Sequence, residues 1–480
     1  MIRHILALTS LVFATATSAQ NLTQQNVEKT LELIELAVAA HGGDKLNELS
    51  TVTVQFKDTN IAAGQSLRPD PPWDRNTADG MVVMDAQSER FYSRNWGTGG
   101  GFEFDNVAIF NGDDSYQVNH RAGTAQPIAE LDYAARTGPF VRVTPPMLLR
   151  QLQARSQNAH YLGDATAEGV DYDVIAFSMT TGPAISLYFD KKNHQLLRSE
   201  RFLPGFGLVE YRFNDYKSID GVPFNMSFVL YVAGDITLER TNTRIELGDA
   251  MEDRMTVDKG LRVTEALEPD PLTRQELADD VYLIGGQGTY AMFVEMDDHV
   301  VAIGGTGGIP ERIESLREVL PEKPIRYGVL THHHSDHVLG VAAYEAEGAT
   351  VVASEAHEGA ARAAAEDGEA LKFDGVGEKK RLGKGKKRIE LIDIGPTAHA
   401  EHFVVAWMPR QKILFEADHF ARPRSGPVPP AVTGARNFAA ALKRLGIEPK
   451  YIVSAHSPRP ATMDDLQEAL DQEPVKISAR

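Results

Sequence analysis

Val329 to Gly340 reads VLTHHHSDHVLG, with four histidines and one aspartate in the six positions from His332 to His337. The run follows IRYGVL (Ile325 to Leu330), an apolar segment with the composition of a strand. Nine of the fifteen histidines fall between His332 and His456, a concentration that points to a site without saying which members belong to it. Placement sorts them. IELIDI reads as a strand with His399 five residues past its end, KILFEA delivers Asp418, and KYIVSA delivers His456. In an open α/β sheet the strand ends lie along one rim, where ligands bind. His332, His334, Asp336, His337, His399, Asp418 and His456 can therefore converge.

The chemistry of that set is specific. Imidazole and carboxylate suit Zn2+, and also Mn2+ or Fe2+, and the chain has no cysteine to offer a thiolate. A histidine tract binding metal adventitiously accounts for His332 to His337 but not for three later residues at separate strand ends. His333, His357 and His419 are read as packing, outer hydrogen-bonding or surface residues, and His402 competes with His399 for one place.

The ordered pattern H-x-H-x-D-H, then His, Asp and His at successive strand ends, resembles the metallo-β-lactamase superfamily over roughly Asp280 to Arg459. The resemblance implies an αββα sandwich for residues 280–480. It implies two divalent metal ions, one held by His332, His334 and His399, the other by Asp336, His337 and His456, with Asp418 between them. Asp336 is the candidate catalytic residue as well as a ligand. His399 is favoured over His402 because it follows the Gly395-Pro396 turn, as in the family pattern. Two ions ~3.5–4 Å apart with a bridging hydroxide provide a nucleophile at neutral pH and polarise the scissile oxygen, so no serine or cysteine nucleophile is required.

One departure stands out. Many family members carry an acidic residue at the end of the strand before the main motif, where it orients a ligand histidine. Here that place holds Ile303, Gly304 and Gly305. The aspartate at 418 also bears on substrate. Family thioesterases of the glyoxalase II kind, lactonases, arylsulfatases and phosphodiesterases carry aspartate there, whereas the β-lactamases typically carry cysteine or serine. The expectation is a hydrolase of an ester, lactone or related acyl compound. The alternatives are a β-lactam or phosphodiester hydrolase on the same site, and a non-enzymatic lipid- or lipoprotein-binding protein.

The remainder of the chain is organised differently. From about Leu49 to Glu246, segments such as TVTVQFKD, GMVVMDA and FNMSFVLYV alternate apolar and polar residues and are separated by Asp-Gly and Asn-Gly turns. Helical patterns occupy Gln24 to Ala40 and Pro145 to Gln157. This predicts an α+β domain over 20–265, an antiparallel sheet with helices covering one face. AVAAHGGDKLNELSTVTVQF followed by a long meander resembles the outer-membrane lipoprotein carrier (LolA-like) folds. That resemblance implies a half-barrel wrapped around a hydrophobic ligand cavity. Residues 266–279, within the acidic, proline-bearing EALEPDPLTRQELADD, are read as a linker.

The first nineteen residues have a short positive start, an apolar run from Ile5 to Ala16 and a small-residue site before Gln20, the pattern of a cleavable signal peptide. Export to the periplasm or beyond is the expectation. The apolar run falls short of the ~20 residues a membrane span needs, and no later stretch approaches that length. Net charge is −18, which disfavours nucleic acid or an anionic membrane surface as the main partner and says little about a small molecule. A small-molecule substrate is the expectation from the hydrolase resemblance, and an apolar part of it from the N-terminal region, which would bind or present that part. Arg422 and Arg424, in the proline-rich loop after Asp418, are candidates to hold an anionic group, set against ordinary solvated loop arginines.

Overall fold

The computed structural model describes residues 22–112, 114–128, 132–249, 252–266 and 268–473. The signal-peptide reading lies outside the described residues. No described helix is long and apolar enough to cross a membrane.

Residues 51–263 build one fourteen-stranded sheet. Its neighbouring strands are antiparallel except at one edge, where Arg262–Val263 runs parallel to Thr124–Pro127. Two meanders meet at its centre, where Thr51–Ile61 pairs with Asp235–Leu247. Among the described residues the two edge strands, Arg262–Val263 and His160–Ala167, do not pair with each other, so the sheet stays open.

The helix at 22–40 buries Leu33, Ile34, Ala37 and Val38, a stripe at helical spacing, against this sheet. Helix Pro145–Ala154 adds Leu148, Leu149 and Leu152, each with no exposed surface. Facing them are Phe177, Leu187, Phe189, Phe213, Phe224 and Phe228. The lipid cavity implied by the lipoprotein-carrier resemblance meets these side chains. Between Phe56, Met84, Phe140 and Phe224 the space narrows to about 10 Å³, room for roughly one water. Arg240 is drawn into the same region by a forked pair of hydrogen bonds to Asp58, at 2.6 and 2.7 Å, and lies 3.5 Å over the Phe56 ring.

The rest of the chain forms two facing sheets. The first has seven strands, of which Val300–Ile303, Ile325–Val329, Thr350–Ser354 and Phe373–Val376 are parallel neighbours. The second has five, with Ile389–Asp393, Val404–Met408 and Ile413–Glu416 antiparallel and Tyr451–Ser454 parallel to the last. Val301, Ile303 and Val329 of the first sheet share a core with Leu391, Val405, Phe415 and Val453 of the second. Helices Ile309–Arg317 and Val341–Ala346 cover the outer face of the first sheet through Ile309, Ile313, Val341 and Tyr344. Helices Thr433–Leu445 and Met463–Asp471 cover the second through Phe438, Leu442 and Leu466. The layers run helix, sheet, sheet, helix.

Two local findings depart from the sequence pattern. Within the stretch read as a linker, Thr273–Ala278 is an edge strand antiparallel to Val281–Gly286. A helix also forms at Tyr133–Val141 despite Gly138 and Pro139 inside it, and Asp132 caps its start by accepting from the Ala135 N–H at 2.6 Å.

Candidate metal centre

Four strand ends of the two sheets meet at one rim. The loop after Ile325–Val329 carries His332 and His334 and closes into a single turn, Ser335–His337. Gly305, at the place where the family's acidic residue would stand, explains its own identity. A Cβ there would lie 2.2 Å from the His337 carbonyl oxygen, so only glycine lets the two loops touch.

The seven side chains fall into two groups whose ligand atoms lie within 4.8 Å of one another: His332, His334, His399 and Asp418, then Asp336, His337 and His456. Asp418 stands between them. Its Oδ2 is 3.1 Å from His332 Nε2, 3.0 Å from His399 Nε2 and 2.9 Å from His337 Nε2, while Oδ1 is 2.8 Å from His456 Nε2. Asp336 Oδ2 lies 3.2 Å from His337 Nε2 and 4.0 Å from His456 Nε2. His402 takes no part: it turns outward and pairs with Asp393 at 2.7 Å.

Electrostatics prepares these groups differently. Burial pushes His334 down to about 3, aided by its neighbours His399 and His333, and holds His332 well below the ordinary histidine range. Both rings are therefore neutral, with a lone pair free to bind a cation. Burial would lower His337 as well, but the carboxylates of Asp418 and Asp336 outweigh it and raise the ring to about 10. Asp418 is held well below the usual carboxylate range, because burial, which acts against this, is overcome by the histidines around it.

The donor set fits divalent metal on its own geometry. His332 and His399 point Nε2 at each other across 3.1 Å, and His337 and His456 do the same across 3.2 Å. Paired imidazole nitrogens aimed at one carboxylate, with nothing but nitrogen and oxygen donors, suit borderline cations.

What holds the rings in place comes partly from the N-terminal region. The Ser66 carbonyl accepts from His334 Nε2 at 3.0 Å and from His333 Nε2 at 2.9 Å, and the Gly100 carbonyl accepts from His399 Nδ1 at 2.6 Å. A carbonyl can only accept, so each bond fixes which ring nitrogen carries the proton. Gln65 Nε2 donates to Asp336 Oδ1 at 2.7 Å. The strand-by-strand reading did not find these partners. Two are backbone carbonyls, which have no side-chain signature, and Gln65 sits 271 positions from its partner.

The second sheet supplies further support. Glu416 is fully buried, accepts from the His419 N–H at 2.8 Å and has its carboxyl pushed up by burial to about 8. His419 and His357 are both buried rather than at the surface. His419 Nε2 contacts Thr397 Oγ1 at 3.1 Å and its ring stacks on Phe438, bracing the loop that carries His399. His333 belongs to neither group; its ring lies 5.0 Å from those of both His357 and His334.

Two open cavities flank the cluster. One of about 410 Å³ runs from Asp336 past Leu339, Arg312 and Leu272. The other, of about 370 Å³, lies beyond Asp418 and His456. Arg422 and Arg424, the candidate anion holders, are engaged with their own chain: Arg422 Nε lies 3.6 Å from Asp465, and Arg424 donates to the Glu268 carbonyl.

Residues 284–472 match the family model described as the metallo-beta-lactamase superfamily. Among solved structures, a metallo-beta-lactamase from Pontibacter korlensis is 20% identical, with 42% of this chain and 97% of that chain covered and a TM-score of 0.34. The metallo-beta-lactamase FIM-1 from Pseudomonas aeruginosa, in its mono-zinc form, is 19% identical, with coverages of 42% and 94% and a TM-score of 0.34. The DIM-1 metallo-beta-lactamase exposed to ceftazidime is 17% identical, with coverages of 42% and 96% and a TM-score of 0.34. No curated protein sequence matches. The C-terminal part of the chain, residues 284–472, is a metallo-beta-lactamase superfamily domain.

Proposed function

We propose that the protein is an exported, dinuclear metal-dependent hydrolase of an ester, lactone or related acyl compound. The observation that carries this reading is two ligand groups, each with its donor atoms within 4.8 Å of one another, with Asp418 of the first also in contact with His337 and His456 of the second. His332, His334 and His399 would hold one cation and Asp336, His337 and His456 the other, with the Asp418 carboxylate turned to both. Bound there, two divalent cations supply a water-derived nucleophile at neutral pH and Lewis-acid polarisation of the scissile oxygen.

The chain's own side chains do the rest. Buried His332 and His334 stay neutral and present lone pairs. Asp336 is the half-exposed member of the cluster and opens on the 410 Å³ cavity, so it is the carboxylate placed to accept or return a proton at the reacting centre. The Gln65 amide holds its other oxygen and fixes its orientation. Zn2+ is the cation we assign, with Mn2+ or Fe2+ compatible with the same donors.

In this account residues 20–265 and 280–480 are the two domains. The first acts as a wall of the site, supported by the Ser66 and Gly100 carbonyls that accept from His334 and His399. The likeness to lipoprotein carriers then concerns architecture, and the small-molecule substrate binds at the rim. Cleavage after residue 19 in the periplasm accompanies this reading, tested by N-terminal sequencing of the mature protein.

A panel of aryl esters, lactones, chromogenic β-lactams and bis-aryl phosphates, with metal-depleted protein as control, tests the function. Metal-dependent turnover of esters or lactones supports it. Turnover confined to β-lactams or phosphodiesters replaces the substrate class, and no turnover by the metal-loaded protein rejects a hydrolase.

A further inference from the structure

We infer that the 370 Å³ cavity beyond Asp418 and His456 seats an uncharged, apolar part of the substrate, and that Phe102 of the N-terminal sheet sets its selectivity. This rests on the hydrolase reading and adds the chemical class of the group next to the scissile bond.

The walls carry the argument. Beyond Asp418, His456 and the buried His419, the cavity is bounded by apolar residues, among them Phe102, Phe420, Pro430 and Val432. No lysine, arginine or glutamate is among its described lining residues, and both arginines of the neighbouring loop are engaged elsewhere. A charged group entering here would lose its hydration without a partner, whereas an aliphatic or aryl group would gain. The volume lies in the ~300–1,000 Å³ range of small-molecule sites.

Phe102 is placed with precision although it comes from the other region of the chain. It sits at the tip of the hairpin joining Arg90–Gly99 and Phe102–Asn111, and its ring meets that of His399 edge-on with centres 5.5 Å apart. Three contacts pin the tip to the metal-binding region. The Gly101 carbonyl accepts from the Gly434 N–H at 2.8 Å, the Glu103 carboxylate accepts from the Thr433 N–H at 3.1 Å, and Gly100 accepts from His399. Glu103 thereby serves the start of helix Thr433–Leu445, whose own residues provide no side-chain cap. A phenyl ring that remains 38% exposed on so fixed a tip is a surface prepared for a ligand.

The test uses full-length, metal-loaded protein and two chelating probes with the same head, acetohydroxamate and octanohydroxamate, measured by calorimetry. Octanohydroxamate is expected to bind about 100-fold more tightly than acetohydroxamate, from the tail's burial in the cavity. Phe102→Ala should cut that ratio about tenfold; because both probes carry the same head, the ratio cancels any change in head-group affinity, and it is read at matched metal content. Phe102→Trp, which fills the cavity, should also lower it. A ratio near unity in the parent protein, a ratio unaffected in both variants, or no binding of either probe overturns the proposal. No turnover of any substrate of the panel, with the ratio intact, sinks the hydrolase reading and leaves the apolar pocket standing.

Discussion

His399 and Gly100 are 299 positions apart in the chain, yet the imidazole Nδ1 donates to the glycine carbonyl across 2.6 Å. The bond fixes the proton on Nδ1 and turns Nε2 towards Asp418 and His332. Outer partners of this kind typically govern metal affinity by about 10–100-fold. The N-terminal sheet is thus part of the candidate metal centre.

Gly101 tests that dependence. Its φ is +84°, and a Cβ there would lie 3.3 Å from the backbone of Ala398, next to His399. Gly101→Val should push the hairpin tip away and weaken one Zn2+ by about tenfold or more, while the cation at Asp336, His337 and His456 is held as before. Chelator competition measures both affinities, and an unchanged pair would separate the sheet from the site.

Glu103 offers a stability readout for the same contact. Glu103→Ala removes the acceptor at the start of helix Thr433–Leu445 and should cost about 1 kcal/mol in urea unfolding, in the range of lost helix caps. Glu103→Gln, which keeps an acceptor oxygen, should recover about half of it.

Much of the site was legible from residue order, because each ligand-type side chain follows an apolar strand and strand ends share a rim. The carbonyls of Ser66 and Gly100 were not, since any residue type supplies a carbonyl and only the folded chain brings it near. Helix Tyr133–Val141 was hidden by Gly138 and Pro139, residues that break helices in isolation; here Asp132 caps the start and Val141 is buried. The edge strand Thr273–Ala278 was hidden by the acidic, proline-bearing composition around it, which is tolerated because, among the described residues, no further strand pairs with its outer edge. The carrier-like half-barrel rests on a Gly42-Gly43 turn and a meander, features that many antiparallel sheets share, and the buried Leu148, Leu149 and Leu152 show only that a helix packs on this sheet.

The Arg240–Asp58 pair predicts a large stability effect. Both side chains are about nine-tenths buried, so Arg240→Met leaves a carboxylate without its fork of donors. The expected loss is about 3 kcal/mol, and adding Asp58→Asn to that variant should return a large part of it. Equal stability of parent and single variant would contradict the assignment.

His41 predicts a pH dependence. Burial pushes its ring down to about 4, and the Nδ1–H bond to the Ala37 carbonyl, at 2.8 Å, offsets this only in part. Tyr216, edge-on at 6.0 Å, is the ring facing it, and its buried phenol stays protonated. The unfolded chain takes up this proton near 6.5 and the folded chain does not until about 4. The contribution is therefore complete above about 6.5 and is lost as pH falls towards 4, by up to about 3 kcal/mol. Between about pH 7 and about pH 5, the parent should lose about 2 kcal/mol more than His41→Gln. Parallel unfolding curves for the two proteins would rule this out.

The central claim is that two cations share Asp418. Elemental analysis of full-length protein, equilibrated with Zn2+ and freed of excess, measures this directly. About two ions per chain are expected in the parent and fewer than one in Asp418→Ala. A parent protein that emerges with no bound Zn2+, or an Asp418→Ala variant that retains both ions, would contradict it.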